Sequence, residues 1–244
     1  MLALPDEIRR KYSALPTDEL LGSIELAAIS TSTILHRAPA TASFDESGEL
    51  VVRIFKNNSE QGVRLDKLKG KSRRIFLDEL EYQLGKRQAI YEAQEYKSLV
   101  GDVILGTVTH ISPQGTLDVH IEIVTPYRNL ELLAVCPIHQ QPRNEKWNYK
   151  KGDIHHFFVN SCLPVTNGSI SRVRLVVSRV ARELPSRMLA KQSGISGIKC
   201  IYRAPGRNCQ IKTATRIPKN HIIEVGKELG EHIDVIWTGS KKRR

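Results

Sequence analysis

Long apolar runs are missing from this chain of 244 residues. Nothing in it approaches the roughly 20 consecutive apolar residues that a membrane helix needs, so neither a transmembrane segment nor a membrane partner is expected. The opening MLALPDEIRRKYSALPTDELL carries Asp6 and Glu7 early and has no apolar core of the kind a secretory leader needs. A cytoplasmic protein is expected. Cysteine is scarce: Cys136, Cys162, Cys200 and Cys209 form no CxxC pair and have no histidine at metal-ligand spacing, which argues against zinc. Cys200 and Cys209 flank a turn at Pro205-Gly206, where they stand to face each other across a hairpin, and a cytosolic setting would keep both reduced. Catalytic patterns are missing as well. Asp102, Asp118, Glu122 and Asp153 are scattered over strand positions without a motif, and His155 and His156, adjacent on a strand, must point to opposite faces. No enzyme, metal site or cofactor is expected.

Acidic residues are thin at the C-terminal end. The chain has a net charge of +11, and residues 181–244 hold 14 Lys and Arg against 5 Asp and Glu, a net +9 that leaves only +2 for the rest. A basic field so concentrated suits phosphate backbones, whose binding is driven by counterion release. The bland account of the same charge is a solubilising face followed by a tail, KKRR, at residues 241–244.

Hydrophobic periodicity divides the chain. PTDEL reads as a helix start with Thr17 or Asp18 capping, followed by Leu20, Ile24 and Ala28 on one stripe. DESG marks a turn before the strand ELVVRIF, and the polar stretch 57–71 reads as a loop. Phe76, Leu80 and Leu84 then predict an amphipathic helix, with an interruption near Gly85. From Val100 the period becomes two. VGDVILGTVTHIS, GTLDVHIE, LLAVCPI, GDIHHFFVNSCL and RVRLVVSR are five short strands with one longer excursion between the third and fourth, the arithmetic of an OB-type barrel. ARELPSRMLAKQ predicts a helix with Pro185 in its first turn; IKCIYRA and CQIKTAT predict a hairpin; HIIEVGKEL and HIDVIW predict a helix stopped by Gly230 and a last strand.

The order of these pieces resembles the bacterial transcription elongation factor NusA, shortened at the C-terminal end. LDELEYQLGKRQAIYEAQEYKSLVGDVILGTV is similar to that family's linker helix entering an S1-type barrel, and YKKGDIHHFFV and LVVSR resemble the fourth and fifth barrel strands. IKCIYRAPGRNCQIKT resembles the family's hairpin through Ile198, Lys199, Arg203, Pro205, Gly206, Arg207 and Lys212. KELGEHIDVIW resembles the end of its first KH module through Glu228, Leu229, Gly230, Glu231, Ile233, Asp234 and Trp237. The resemblance implies an α+β chain in three parts. Residues 1–98 would be a polymerase-binding α/β domain with a long linker helix, 99–180 a five-stranded S1-type OB barrel, and 181–244 a truncated KH-like module with a basic tail. It implies a monomeric, non-catalytic factor that meets RNA polymerase and nascent RNA and modulates elongation, pausing, termination or antitermination.

The departures matter as much. KH modules hold RNA at a GxxG loop, where the backbone approaches four nucleotides and side chains would be in the way. Between Thr215 and Glu228 this chain has only RIPKNHIIEVGK, so the clamp is missing. The barrel carries Leu117 after the turn where S1 barrels often carry an aromatic, so base stacking there is expected to be weak. RNA contacts are therefore expected to rest on charge: Lys199, Arg203, Arg207, Lys212, Arg216 and Lys219 in the last module, Arg172, Arg174 and Arg179 near the last barrel strand, with His120 as a partial substitute for an aromatic. The alternative is a protein-interaction module that competes with, or assembles beside, a full-length relative or a ribonucleoprotein without significant RNA binding of its own.

Overall fold

The computed structural model describes residues 6–57, 59–124, 129–168 and 170–238. They form two compact units: Met1–Glu95 with Pro164–Val173, and Tyr96–Leu163 with Arg174–Arg244. Among the described residues no helix is long and apolar enough to cross a membrane.

The first unit holds α1 (Asp6–Lys11), α2 (Thr17–His36), β1 (Ala40–Phe44), β2 (Leu50–Lys56), β3 (Ser59–Val63) and α3 (Gly70–Glu95). The three strands make an antiparallel sheet with β2 in the middle. The stripes read from the sequence lie in its core: Ile24 and Ala28 of α2 with Leu20 packed against them, Val52 of β2, and Phe76, Leu80 and Leu84 of α3; Ala27 joins them. Three details differ from expectation. Thr17 and Asp18 do not cap α2; the cap position is Pro16, and Asp18 and Glu19 lie in the first turn, where acidic groups face the positive end of the helix. The expected loop 57–71 contains β3, a polar edge strand without alternation that is held by pairing to β2 and by an Arg53–Glu60 ion pair of 3.0 Å. Finally, α3 runs unbroken through Gly85.

Five strands, β4 (Val103–Ile111), β5 (Leu117–Val124), β6 (Asn129–Cys136), β7 (Ile154–Asn167) and β8 (Ile170–Ser178), close into a barrel in the order β4-β5-β6-β8-β7; they belong to the second unit except for the end of β7 and the start of β8 within 164–173, which fall in the first. Alternation sets which side chains fill it. Val108, Leu117, Val119, Ile121, Phe157, Val159 and Leu175 are all at most 1% exposed. Leu117, at the position where an aromatic was sought, is thus a core residue. The excursion 137–153 links β6 to β7.

Downstream lie α4 (Leu184–Ser193), the hairpin β9 (Lys199–Ala204) and β10 (Asn208–Thr213), α5 (Lys219–Leu229) and β11 (His232–Trp237). Here β10 is the central strand, antiparallel to β9 and parallel to β11. Leu184, Met188 and Leu189 of α4 and Val225 and Leu229 of α5 pack with Cys209, Ile211 and Ile233, which buries one face of this sheet. Pro185 sits at the start of α4, and Gly230 caps α5 in the left-handed region at φ 62°. Cys200 lies opposite Ile211 and Cys209 opposite Arg203, so the two cysteines do not face each other, and all four cysteines are thiols.

Candidate nucleic-acid interface

Because Cys209, Ile211 and Thr213 of β10 point into the core, Asn208, Gln210 and Lys212 point outward. Register then decides what stands beside them. Lys199 lies directly opposite Lys212, and Tyr202, 51% exposed, lies opposite Gln210. Directly opposed strand residues have Cβ atoms about 4.5–5.5 Å apart, and two like charges at that spacing repel. Among the described residues none of Lys199, Lys212, Arg216 or Lys219 has a carboxylate within ion-pair distance. Asp234 on the adjoining strand is engaged by His232 at 3.1 Å. The five-residue connection 214–218, ATRIP, anchors itself through Ile217 and leaves Arg216 exposed; Lys219 opens α5. That connection contains no glycine and α5 has no side-chain cap. Lys199, Lys212, Arg216 and Lys219 thus gather at one end of an open sheet, beside an exposed tyrosine.

The structure removes two arginines from the expected set. The Arg179 side chain is 0% exposed and donates through Nη2 and Nε to Glu145, at 2.7 and 3.1 Å, and through Nη1 and Nη2 to the carbonyls of His156 and Glu228. Arg203, 2% exposed at its side chain, donates to Glu231 through Nε and Nη2 and to the carbonyls of Ala181 and Arg179. Each guanidinium is consumed inside the protein, where an unpaired charge would be prohibitive, so neither reaches a phosphate. The network continues to His156, whose backbone N–H donates to Glu228 and whose Nδ1 lies 2.8 Å from the same carboxylate. Burial alone would raise the Glu228 carboxyl, but the His156 contacts and the Arg179 charge hold it below the ordinary range. On the opposite face of β7, His155 packs edge-on against Tyr149 and Phe157. Burial first, and then the Arg179 charge, depress its affinity for a proton.

The other expected contacts separate. Arg207 is exposed at the hairpin turn, about 16 Å along β10 from Lys212. Arg174 is exposed on β8, and Arg172, also exposed, belongs to the first unit. His120 is half exposed between Thr107 and Leu133 in register, with Glu131 at 3.7 Å, and so stands in an apolar and acidic setting rather than a basic one. Residues 241–244 lie outside the described residues.

Sequence reasoning missed Tyr202 and the excursion 137–153. In QPRNEKWNYKK the one acid, Glu145, is turned into Arg179, while Arg143 and Trp147 face outward and Lys146 is half-buried. The density of cations around an aromatic in that loop was the available signal. No family model matches the chain, and no curated protein matches it either.

Proposed function

We propose that the chain is a non-catalytic RNA-binding factor of NusA-like design that meets RNA polymerase through its first unit and nascent RNA through its second. In this view the barrel is of S1 type, as its strand order β4-β5-β6-β8-β7 supports, and the last three strands with α4 and α5 are a KH-like module without a glycine clamp. The observation that carries the proposal is the cross-strand pair of Lys199 and Lys212 on an open face. Two cations held in repulsion, with no carboxylate among the described residues to relieve them, are stabilised by an anionic partner. With Tyr202 on the same face, and with Arg216 and Lys219 on the connection and helix start that follow β10, they suit a single-stranded phosphate backbone with little sequence choice. Fluorescence anisotropy with a single-stranded RNA at low salt tests this. Binding is expected for the wild type and is expected to weaken when Lys199 and Lys212 are changed to Gln; no binding at low salt overturns it.

One observation favours the interaction-module alternative. Ile154, Thr107, His120 and Leu133 lie in register across the outside of β7, β4, β5 and β6, and Ile154, Leu133 and neighbouring Leu105 are each more than half exposed. Recovery with RNA polymerase that survives nuclease treatment supports a protein contact; nuclease-sensitive recovery means that RNA is the tether.

A further inference from the structure

The excursion 137–153 holds an aromatic in an unfavourable state. Trp147 is 68% exposed and its backbone is left-handed, with φ 69°. Both features cost stability, since a bulky side chain is rarely found in that region and an exposed indole gains nothing from burial. The ring lies against the turn at Gly115. A side chain at Gly115 would meet the Trp147 ring at 3.1 Å and Ile138 Cδ1 at 2.8 Å, so that turn accepts only glycine and the ring rests on it. The same turn is fixed by Gln141, whose Nε2 donates to the carbonyls of Gly115 and Cys136 at 2.8 and 3.1 Å.

Gln141 also lines a groove of about 600 Å³ between the excursion and the β9–β10 turn. Its walls include Arg143, Asn144, Lys146, Pro205 and Arg207, and among the described residues no acidic side chain lines it. They are closely fitted: a side chain at Gly206 would collide with the Asn144 amide, and the Gly206 N–H is held by Glu231 at 3.0 Å. Three cations along a groove of nucleotide size, with an exposed indole on the residue after Lys146, combine the two features that single-stranded nucleic acid needs: charge for phosphate and a π-face for a base.

We propose that Trp147 stacks a base of single-stranded RNA whose adjoining phosphate lies in the groove of Arg143, Lys146 and Arg207, a second contact at the opposite end of the β9–β10 hairpin from Lys199 and Lys212. This rests on the proposal that the chain binds RNA. It replaces the aromatic that the barrel turn at Leu117 does not provide.

The test uses the full chain carrying W237F, so that Trp147 is the only tryptophan, and a mixed-sequence RNA octamer beside an abasic octamer of equal charge. The RNA is expected to quench Trp147 emission at saturation and the abasic strand to leave it unchanged. W147L is expected to lose about 5- to 150-fold in RNA affinity, with W147F staying near wild type. R143Q with K146Q is expected to weaken binding while Trp147 is still quenched at saturation. If RNA binds through Lys199 and Lys212 but Trp147 emission and the affinity of W147L are unchanged, this site is wrong and the RNA-binding proposal stands. If the wild type binds no RNA at low salt, both fail.

Discussion

Arg203 and Glu231 form a buried, doubly hydrogen-bonded ion pair, with Nη2 2.7 Å from Oε1 and both side chains at most 2% exposed. The carboxylate also accepts the Gly206 N–H, so one pair fixes the hairpin turn and the start of β11. Breaking such a pair leaves a buried charge alone, at a cost of about 3–5 kcal/mol. Urea unfolding of E231A is therefore expected to show a loss of that order. A loss below about 1 kcal/mol would contradict the structural role given to Arg203.

Relief of like-charge repulsion gives a prediction of opposite sign. K199E puts a carboxylate opposite Lys212 and is expected to stabilise the protein by about 0.2–1 kcal/mol while weakening RNA binding. Thermal melts and anisotropy on the same sample read both. A variant that is less stable, or that binds RNA as tightly as wild type, is inconsistent with an open, uncompensated pair.

Acid should act in two stages. His155 holds its proton less tightly in the folded state than the ordinary value of 6.5, because of burial and then the Arg179 charge. The unfolded chain therefore takes up that proton first, and stability is full above about pH 6.5 and falls as the pH drops through it. Glu228 is held below its ordinary 4.5, so the stability it contributes is present above about 4.5 and is lost at lower pH as it protonates. Melting temperatures between about pH 8 and 2 are expected to lose their upper dependence in H155F and their lower one in E228Q. An unchanged profile in both variants contradicts these environments.

Thiol reactivity follows burial. Cys136 and Cys209 are 0% exposed, and burial pushes each thiol up to about 12. Cys162 and Cys200 are only partly buried. Titration of the native protein with an aromatic disulfide reagent is expected to modify Cys162 and Cys200 first, with the other two reacting only on unfolding. Early modification of Cys209 would place it outside the core.

Much of the fold was legible because its cores follow simple periods. Leu117, Val119 and Ile121 at period two, and Phe76, Leu80 and Leu84 at helical spacing, all lie where the pattern puts them. β1 and β3 were not legible: ATASF and SEQGV are short and mostly small or polar, and pairing to β2 alone makes them strands. The site was legible in part. Charge can be counted in a sequence, but whether an arginine faces water depends on carboxylates distant along the chain. Arg179 meets Glu145 and Arg203 meets Glu231, each through register and loop paths that no local pattern encodes. Hairpin register, by contrast, sets Lys199 and Lys212 side by side.

The most direct test is the salt dependence of RNA affinity for the wild type and for K199Q with K212Q. Each phosphate neutralised on a single strand contributes a slope of about 0.7 in log affinity against log salt. The wild type is expected to weaken steeply and linearly as salt rises, and the double variant to bind more weakly at low salt with a slope shallower by about 1.4. Equal slopes and equal affinities for the two proteins would contradict the assignment of this face to RNA.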